Sequence, residues 1–194
     1  MNDRYLQRHR PGEPHPLDRE AGFGGDAAEW RARRSQVADA VPGDGTFLDV
    51  GCANGHLVEC VVAWCAERGV AVEPYGVDLA PGLVALARRR LPEWADRFWV
   101  GNAVDWVHPD GRRFDVVHVL LDTVPAARRG DMLRHHLAAT VAPGGRLLVS
   151  AYASVAEPRT DDVVRGLGLE PDGWLPDHDP DRPSPGLAWV RADH

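Results

Sequence analysis

Phe47-Leu48-Asp49-Val50-Gly51-Cys52-Ala53-Asn54-Gly55-His56 reads as a buried strand that runs into a tight turn of small residues and then opens a helix. Gly51 and Gly55 let the backbone turn sharply and let a ligand approach without interference from a Cβ atom. The first helix amides, at His56 and Leu57, are donors for an anionic group placed there. A strand-to-helix turn with no ligand is the plain alternative. A second strand ends in Tyr75-Gly76-Val77-Asp78, which puts a carboxylate 23 positions beyond Gly55. In nucleotide-binding sheets an acid at this point accepts hydrogen bonds from ribose hydroxyls. The other reading of Asp78 is a cap for the helix that begins at Pro81.

The flanking sequence repeats this strand-then-helix order. Strand candidates are Thr46–Val50, Val72–Val77, Phe98–Val100, Phe114–Leu120 and Arg146–Ala151, and helical patterns at His56–Glu67, Pro81–Leu91 and Ala126–Val141 fall between them. Such alternation predicts an α/β fold, an open doubly wound sheet covered by helices. Ahead of the sheet, Asp26 caps a helix to Ala40 whose Ala27, Trp30, Val37 and Val41 share one apolar face. Beyond it, Thr160–Gly166 reads as a short helix, and Leu169–Leu175 and Leu187–Arg191 as strands closing the sheet edge in an antiparallel hairpin. Pro176 to Pro185 reads as an exposed acidic loop. Residues 1–25, rich in proline and glycine, read as an N-terminal arm. Residues 26–194 then form one domain, of which 26–45 is the N-terminal helix and lead-in.

A chain of 194 residues with 44% hydrophobic and 26% charged side chains is that of one globular domain. Its net charge of −7 argues against a partner bound by neutralising phosphates, so nucleic acid is not expected. All 22 basic residues are arginine, which reads as compositional bias. Cys52, Cys60 and Cys65 are odd in number and lack CxxC spacing, which fits neither a disulfide framework nor a zinc site. No metal is expected, and a reduced, cytoplasmic location is. Met1 to Glu13 carries Asp3, Arg4, Arg8 and Arg10 with no apolar core, unlike a signal peptide. No run approaches the roughly 20 apolar residues that span a bilayer, so no membrane partner is expected.

A dinucleotide fingerprint, G-x-G-x-x-G, needs glycine or alanine at position 56, where His56 stands, and Ala53 replaces its middle glycine. The spacing present, Gly51-x-Ala53-x-Gly55, resembles the first motif of class I S-adenosylmethionine-dependent methyltransferases. The resemblance runs on in order through Asp78, Gly101-Asn102-Ala103 after the third strand, Phe114–Leu120 as the fourth, and Ala142-Pro143-Gly144-Gly145 leading into the fifth. It implies a seven-stranded, mostly parallel, Rossmann-like methyltransferase sheet with helices on both faces, and S-adenosyl-L-methionine as cofactor. It further implies that Asp49 orders the glycine turn or reaches the cofactor's amino group. Gly51, Cys52, Ala53, Asn54 and Gly55 would lie along the methionine part, and Asp78, with Leu79 beside it, at the ribose. Asn102 and Ala103 would hold adenine through an amide oxygen and a backbone amide, and the backbone at Leu120 would accept from the amino group. Aspartate is commoner in the family at position 102; asparagine keeps the acceptor, and by itself reads as a turn residue.

The reaction so implied is methyl transfer to a small-molecule acceptor, releasing S-adenosylhomocysteine, with the protein excluding water and aligning the nucleophile. Leu121-Asp122-Thr123-Val124-Pro125 stands where an Asn-Pro-Pro-Tyr or Asp-Pro-Pro-Tyr motif would mark exocyclic-amine or glutamine-amide acceptors, which leaves small oxygen, nitrogen or carbon acceptors. Asp122 is the candidate catalytic carboxylate, with a helix cap as its other reading. His118 reads as a core or edge histidine rather than a base, His135 and His136 as surface or partly buried, and Arg88-Arg89-Arg90 as a solvated helix face. Tyr152 and Ser154 are candidates for the acceptor pocket and Phe23 and Trp30 for covering the cofactor, each with simple packing as the alternative. Two further functions stay open: a non-catalytic S-adenosylmethionine binder or sensor, and an NAD-dependent oxidoreductase or epimerase. The glycine spacing and the lack of any lysine for a Tyr-x-x-x-Lys pair weigh against the latter.

Overall fold

The computed structural model describes residues 26–151, 158–179 and 184–193. The arm at 1–25 with Phe23, and the pocket candidates Tyr152 and Ser154, lie outside the described residues. Seven strands, β1 (Gly45–Val50), β2 (Val72–Asp78), β3 (Phe98–Val100), β4 (Phe114–Leu120), β5 (Val141–Ser150), β6 (Gly173–Leu175) and β7 (Leu187–Arg191), form one sheet in the order β3-β2-β1-β4-β5-β7-β6. The first five are parallel, and β7 runs antiparallel to both β5 and β6. This is the expected doubly wound sheet with its antiparallel edge. The strand order turns back between β1 and β4, where open α/β sheets hold ligands at the carboxyl ends of their strands.

Helices α1 (Ala27–Arg34), α2 (Gln36–Asp39), α3 (His56–Glu67), α4 (Pro81–Arg90), α5 (Arg129–Ala139) and α6 (Thr160–Gly166) cover the sheet. On one face Leu48, Val117 and Leu147 meet Met132 and Leu133 of α5 and Val164 of α6. On the other, Phe47, Val116 and Leu148 meet Trp30, Val37, Val61 and Trp64 of α1 to α3. Successive strand residues point to opposite faces, which is why neighbours such as Phe47 and Leu48 enter different cores.

Several bounds differ from the sequence reading. Asp26 does cap the first helix, accepting from the amides of Ala28 and Glu29 while Glu29 answers at the Asp26 amide. That helix breaks at Ser35, where the Gln36 side chain takes the Arg33 carbonyl and competes with the helical ladder. Leu169 is no strand: its amide bonds back to the Val164 carbonyl past a left-handed Gly168, closing α6. The helix expected over Ala126–Val141 starts as a 3-10 turn after Pro125 and is α-helical only over Arg129–Ala139. β5 begins at Val141 and not Arg146. Val141 pairs with Phe114 and Arg146 with Val116, so Ala142 to Gly145 bulge out of the ladder, and regular pairing starts at Arg146.

Candidate functional site

The turn between β1 and α3 is folded back onto the end of β2. The amides of Gly51 and Cys52 both donate to the Val77 carbonyl, at 2.8 and 3.1 Å. Gly51 and Gly55 have φ of +90° and +78°, values that favour glycine, and Ala53 between them has φ of +48°. The Ala53 amide donates to Asp78 Oδ2 at 3.0 Å, and Asp78 Oδ1 accepts the Ala80 amide at 2.8 Å. Asp78, and not Asp49, therefore orders the glycine turn, and it also steadies the entry to α4. Burial pushes the Asp78 carboxyl up from its usual range against the pull of these two donors, and the charge of Asp49 adds to the push. The His56 amide is already taken by Asn54 Oδ1 at 3.0 Å. Of the two amides expected to receive an anion, the one at His56 is thus taken by the chain's own side chain.

Asp49 lies under the turn in a polar row across an otherwise apolar face. Asp49 and His118 are register partners on β1 and β4, and Asp49 Oδ1 is 2.8 Å from His118 Nδ1. His118 Nε2 lies 3.0 Å from Ser150 Oγ at the end of β5. All three are buried. A narrow cavity of about 30 Å³, room for one or two water-sized groups, is lined by Trp30, Arg34, Asp49, the Gly51–Ala53 backbone, Leu57, His118 and Leu120. Trp30 stacks on His56 at 4.9 Å and is itself buried, so α1 roofs this cavity. Burial first, then Asp49 and Asp78, push the Cys52 thiol well above its usual range, which keeps it protonated and unreactive.

The loop after β3 completes the arc. Val100 is the register partner of Asp78, and the Gly101 amide donates to the Asp78 carbonyl at 3.0 Å. Leu79 and Val100 are 56% and 49% exposed, an apolar pair at adjacent strand ends beside a carboxylate. Asn102 is exposed and its Oδ1 accepts the Val104 amide at 3.0 Å, so its amide oxygen already serves the turn. The Ala103 carbonyl accepts from His136 Nε2 at 2.8 Å. His136 is fully buried, which corrects its reading as a surface or partly buried residue, and burial brings its pKa down to about 4. Neighbouring His135 reaches the Trp106 carbonyl at 3.0 Å, so the histidine pair of α5 anchors this loop. Asp122, in a 3-10 turn after β4, pairs with Arg129 at 3.5 Å, and the cap positions of the turn and helix that follow are held by Pro125 and Arg128.

Two groups at this site were missed in sequence. Arg90 of the supposedly solvated run donates to the Asn54 carbonyl at 2.6 Å and to Glu59 at 2.7 Å, fixing the turn from α4. The strand pattern marks His118 as a core or edge residue but gives no sign of its two partners. Neither residue carries a local spacing signal, because each meets its partner only through the packing of distant segments. Trp30 and Arg34 had the α1 periodicity as a signal for burial, and the fold adds that they face the glycine turn.

The methyltransferase domain profile matches residues 47–145, just over half of the chain. Trans-aconitate 2-methyltransferase of Methylobacterium nodulans is 30% identical over 145 residues, 75% of this chain, and the chain spans about half, 50%, of that relative. Among solved structures, magnesium protoporphyrin IX methyltransferase of Synechocystis PCC 6803 with bound S-adenosylmethionine superposes with a TM-score of 0.59 at 18% identity, over 91% of this chain and 89% of its own. The glycopeptide N-methyltransferase MtfA gives 0.58 at 19% identity, over 81% of this chain and 92% of its own. These superpositions show a common fold, and no helix among the described residues is long and apolar enough to cross a membrane. With the profile match spanning β1 to the β5 bulge, the chain belongs to the class I S-adenosylmethionine-dependent methyltransferase family.

Proposed function

We propose that this chain transfers the methyl group of S-adenosylmethionine to a small-molecule acceptor and releases S-adenosylhomocysteine. The observation that carries the reading is the pair of carboxylates, Asp49 and Asp78, at neighbouring strand ends around the glycine turn. Two acids, and a helix start whose His56 amide is already taken, suit a cationic ligand and oppose a pyrophosphate. The residues present fit the cofactor part by part. Asp78 retains lone pairs for ribose hydroxyls, Leu79 and Val100 offer apolar surface to a flat base, and the cavity at Asp49 has the size of an ammonium group. Asn102 and Ala103 would border the base, and the Gly51–Gly55 backbone and Leu120 the methionine chain.

The cofactor's sulfonium supplies an activated methyl group and a neutral thioether as leaving group, so little acid or base work is required of the protein. The chain's own task is to hold, orient and exclude water, which Trp30 begins from α1. Asp122 is kept as the candidate for steadying an acceptor proton. The small-molecule class is supported by the name of the curated relative, whose acceptor is trans-aconitate. Calorimetry with S-adenosylmethionine, S-adenosylhomocysteine and NAD tests the reading: micromolar binding of the first two without NAD supports it, and NAD binding alone overturns it. Asp78→Asn should weaken S-adenosylhomocysteine binding by about 1.5–3 kcal/mol, the range for hydrogen bonds to a charged group.

A further inference from the structure

The row Asp49, His118, Ser150 joins three parallel strands at their carboxyl ends, and each link is of hydrogen-bond length, 2.8 and 3.0 Å. An ionised carboxylate only accepts, so the proton between Asp49 and His118 sits on Nδ1. The far nitrogen, Nε2, is held by the Ser150 hydroxyl at 3.0 Å. The imidazole is pinned at both nitrogens and has no freedom to swing. Asp49 in turn is held through Oδ1, and its side chain is only 4% exposed. Among the described residues Oδ2 has no donor of its own, and Asp49 and His118 both line the small cavity.

Asp, His and Ser linked in this sequence also form the constellation of a nucleophilic serine. Here Ser150 is 3% exposed and does not border the cavity, so no substrate carbonyl reaches its hydroxyl. The chain of bonds leads instead to Asp49 and through it to the cavity. The charged groups lining that cavity are Asp49 on β1 and Arg34 on α1, with Asp78 of β2 near enough to feel the charge of Asp49. A buried anion at the wall of so small a cavity suits an ammonium group.

We propose that His118 is a positioning residue, which, braced by Ser150, fixes the Asp49 carboxylate so that its second oxygen receives the ammonium group of the cofactor's methionine end. The inference rests on the cofactor reading above and goes beyond it, because it assigns the selectivity for the amino-acid end to a histidine that does not itself touch the ammonium.

The test compares two ligands that share the adenosine and the thioether: S-adenosylhomocysteine, which has the amino-acid end, and 5′-methylthioadenosine, which lacks it. His118→Leu should weaken the first about ten-fold or more and leave the second within about two-fold, since only one hydrogen bond to a charged group is lost. His118→Asn, which keeps an N–H near the Nδ1 position, should recover most of the loss. Ser150→Ala, which keeps the ring but frees its far nitrogen, should show the same selective loss at about three-fold, and it serves if the leucine variant does not fold. Equal losses for both ligands, or no loss for either, would overturn the proposal while leaving the cofactor reading intact. Failure of the unaltered protein to bind either ligand would overturn both.

Discussion

Ala53 holds a left-handed backbone, with φ of +48°, in a turn whose two neighbouring corners are glycine. An L-residue pays roughly 1–2 kcal/mol for that conformation, while glycine pays about 0.4–1 kcal/mol in extra unfolded-state entropy. Ala53→Gly should therefore raise stability by about 0.5–1 kcal/mol, read as a higher urea midpoint at unchanged slope; an unmoved or lower midpoint would show the turn to be unstrained there. The turn and Asp78 were legible in sequence because their geometry is local: glycine spacing dictates the corner, and a strand end places the acid. The partnership of Asp49 with His118 was not. The two stand 69 positions apart and become neighbours only when β1 and β4 adopt one register. Asp49 was expected at the turn or the amino group, and no spacing rule could say that Asp78 would brace the turn instead.

The five parallel strands and α3 were readable as elements because apolar runs, glycine and proline mark their limits. The bulge in β5 is hidden, since Pro143-Gly144-Gly145 reads as a turn before the strand, while the fold makes it the start of an interior strand, with the Gly144 amide donating to the Ala192 carbonyl. His136 was hidden differently. It follows Met132 by four and Leu133 by three, so it belongs to the buried stripe of α5, but its polarity masked the period. Its folded pKa of about 4 lies below the usual 6.5, so the unfolded chain binds the proton more readily. The stabilising contribution is present above pH 6.5 and drains away as the pH falls toward 4, by about 3 kcal/mol in all. His136→Gln should lose this dependence. Compared by urea unfolding, it should be less stable than the parent at pH 7 by about 1–2 kcal/mol through the lost Thr140 bond and should match or exceed it near pH 4.5. A gap that stays constant between the two pH values would mean that His136 is protonated alike in both states.

Across the whole molecule, the arc proposed for the cofactor draws on β1, β2, the loop after β3 and the end of β4, with α1 as roof, so a ligand there would tie together elements from most of the sequence. The loop at His178 and Asp179 extends this tie: the His178 amide donates to the Ala32 carbonyl at 2.7 Å and Arg33 pairs with Asp179 at 3.1 Å, fastening α1 from the far end of the chain. Binding should therefore stabilise the domain as one unit. At a ligand concentration 100 times its dissociation constant the gain is about 2.7 kcal/mol, which for a domain of this size raises Tm by roughly 5–11 °C. S-adenosylhomocysteine should produce that shift and NAD none. Asp78→Asn, if it weakens binding about ten-fold, should show about half the shift at the same ligand concentration, because stabilisation grows only with the logarithm of saturation. A full shift in that variant would place the ribose away from Asp78 while keeping the ligand on the sheet. An equal shift with NAD would mean that the carboxylates of Asp49 and Asp78 do not exclude a pyrophosphate after all.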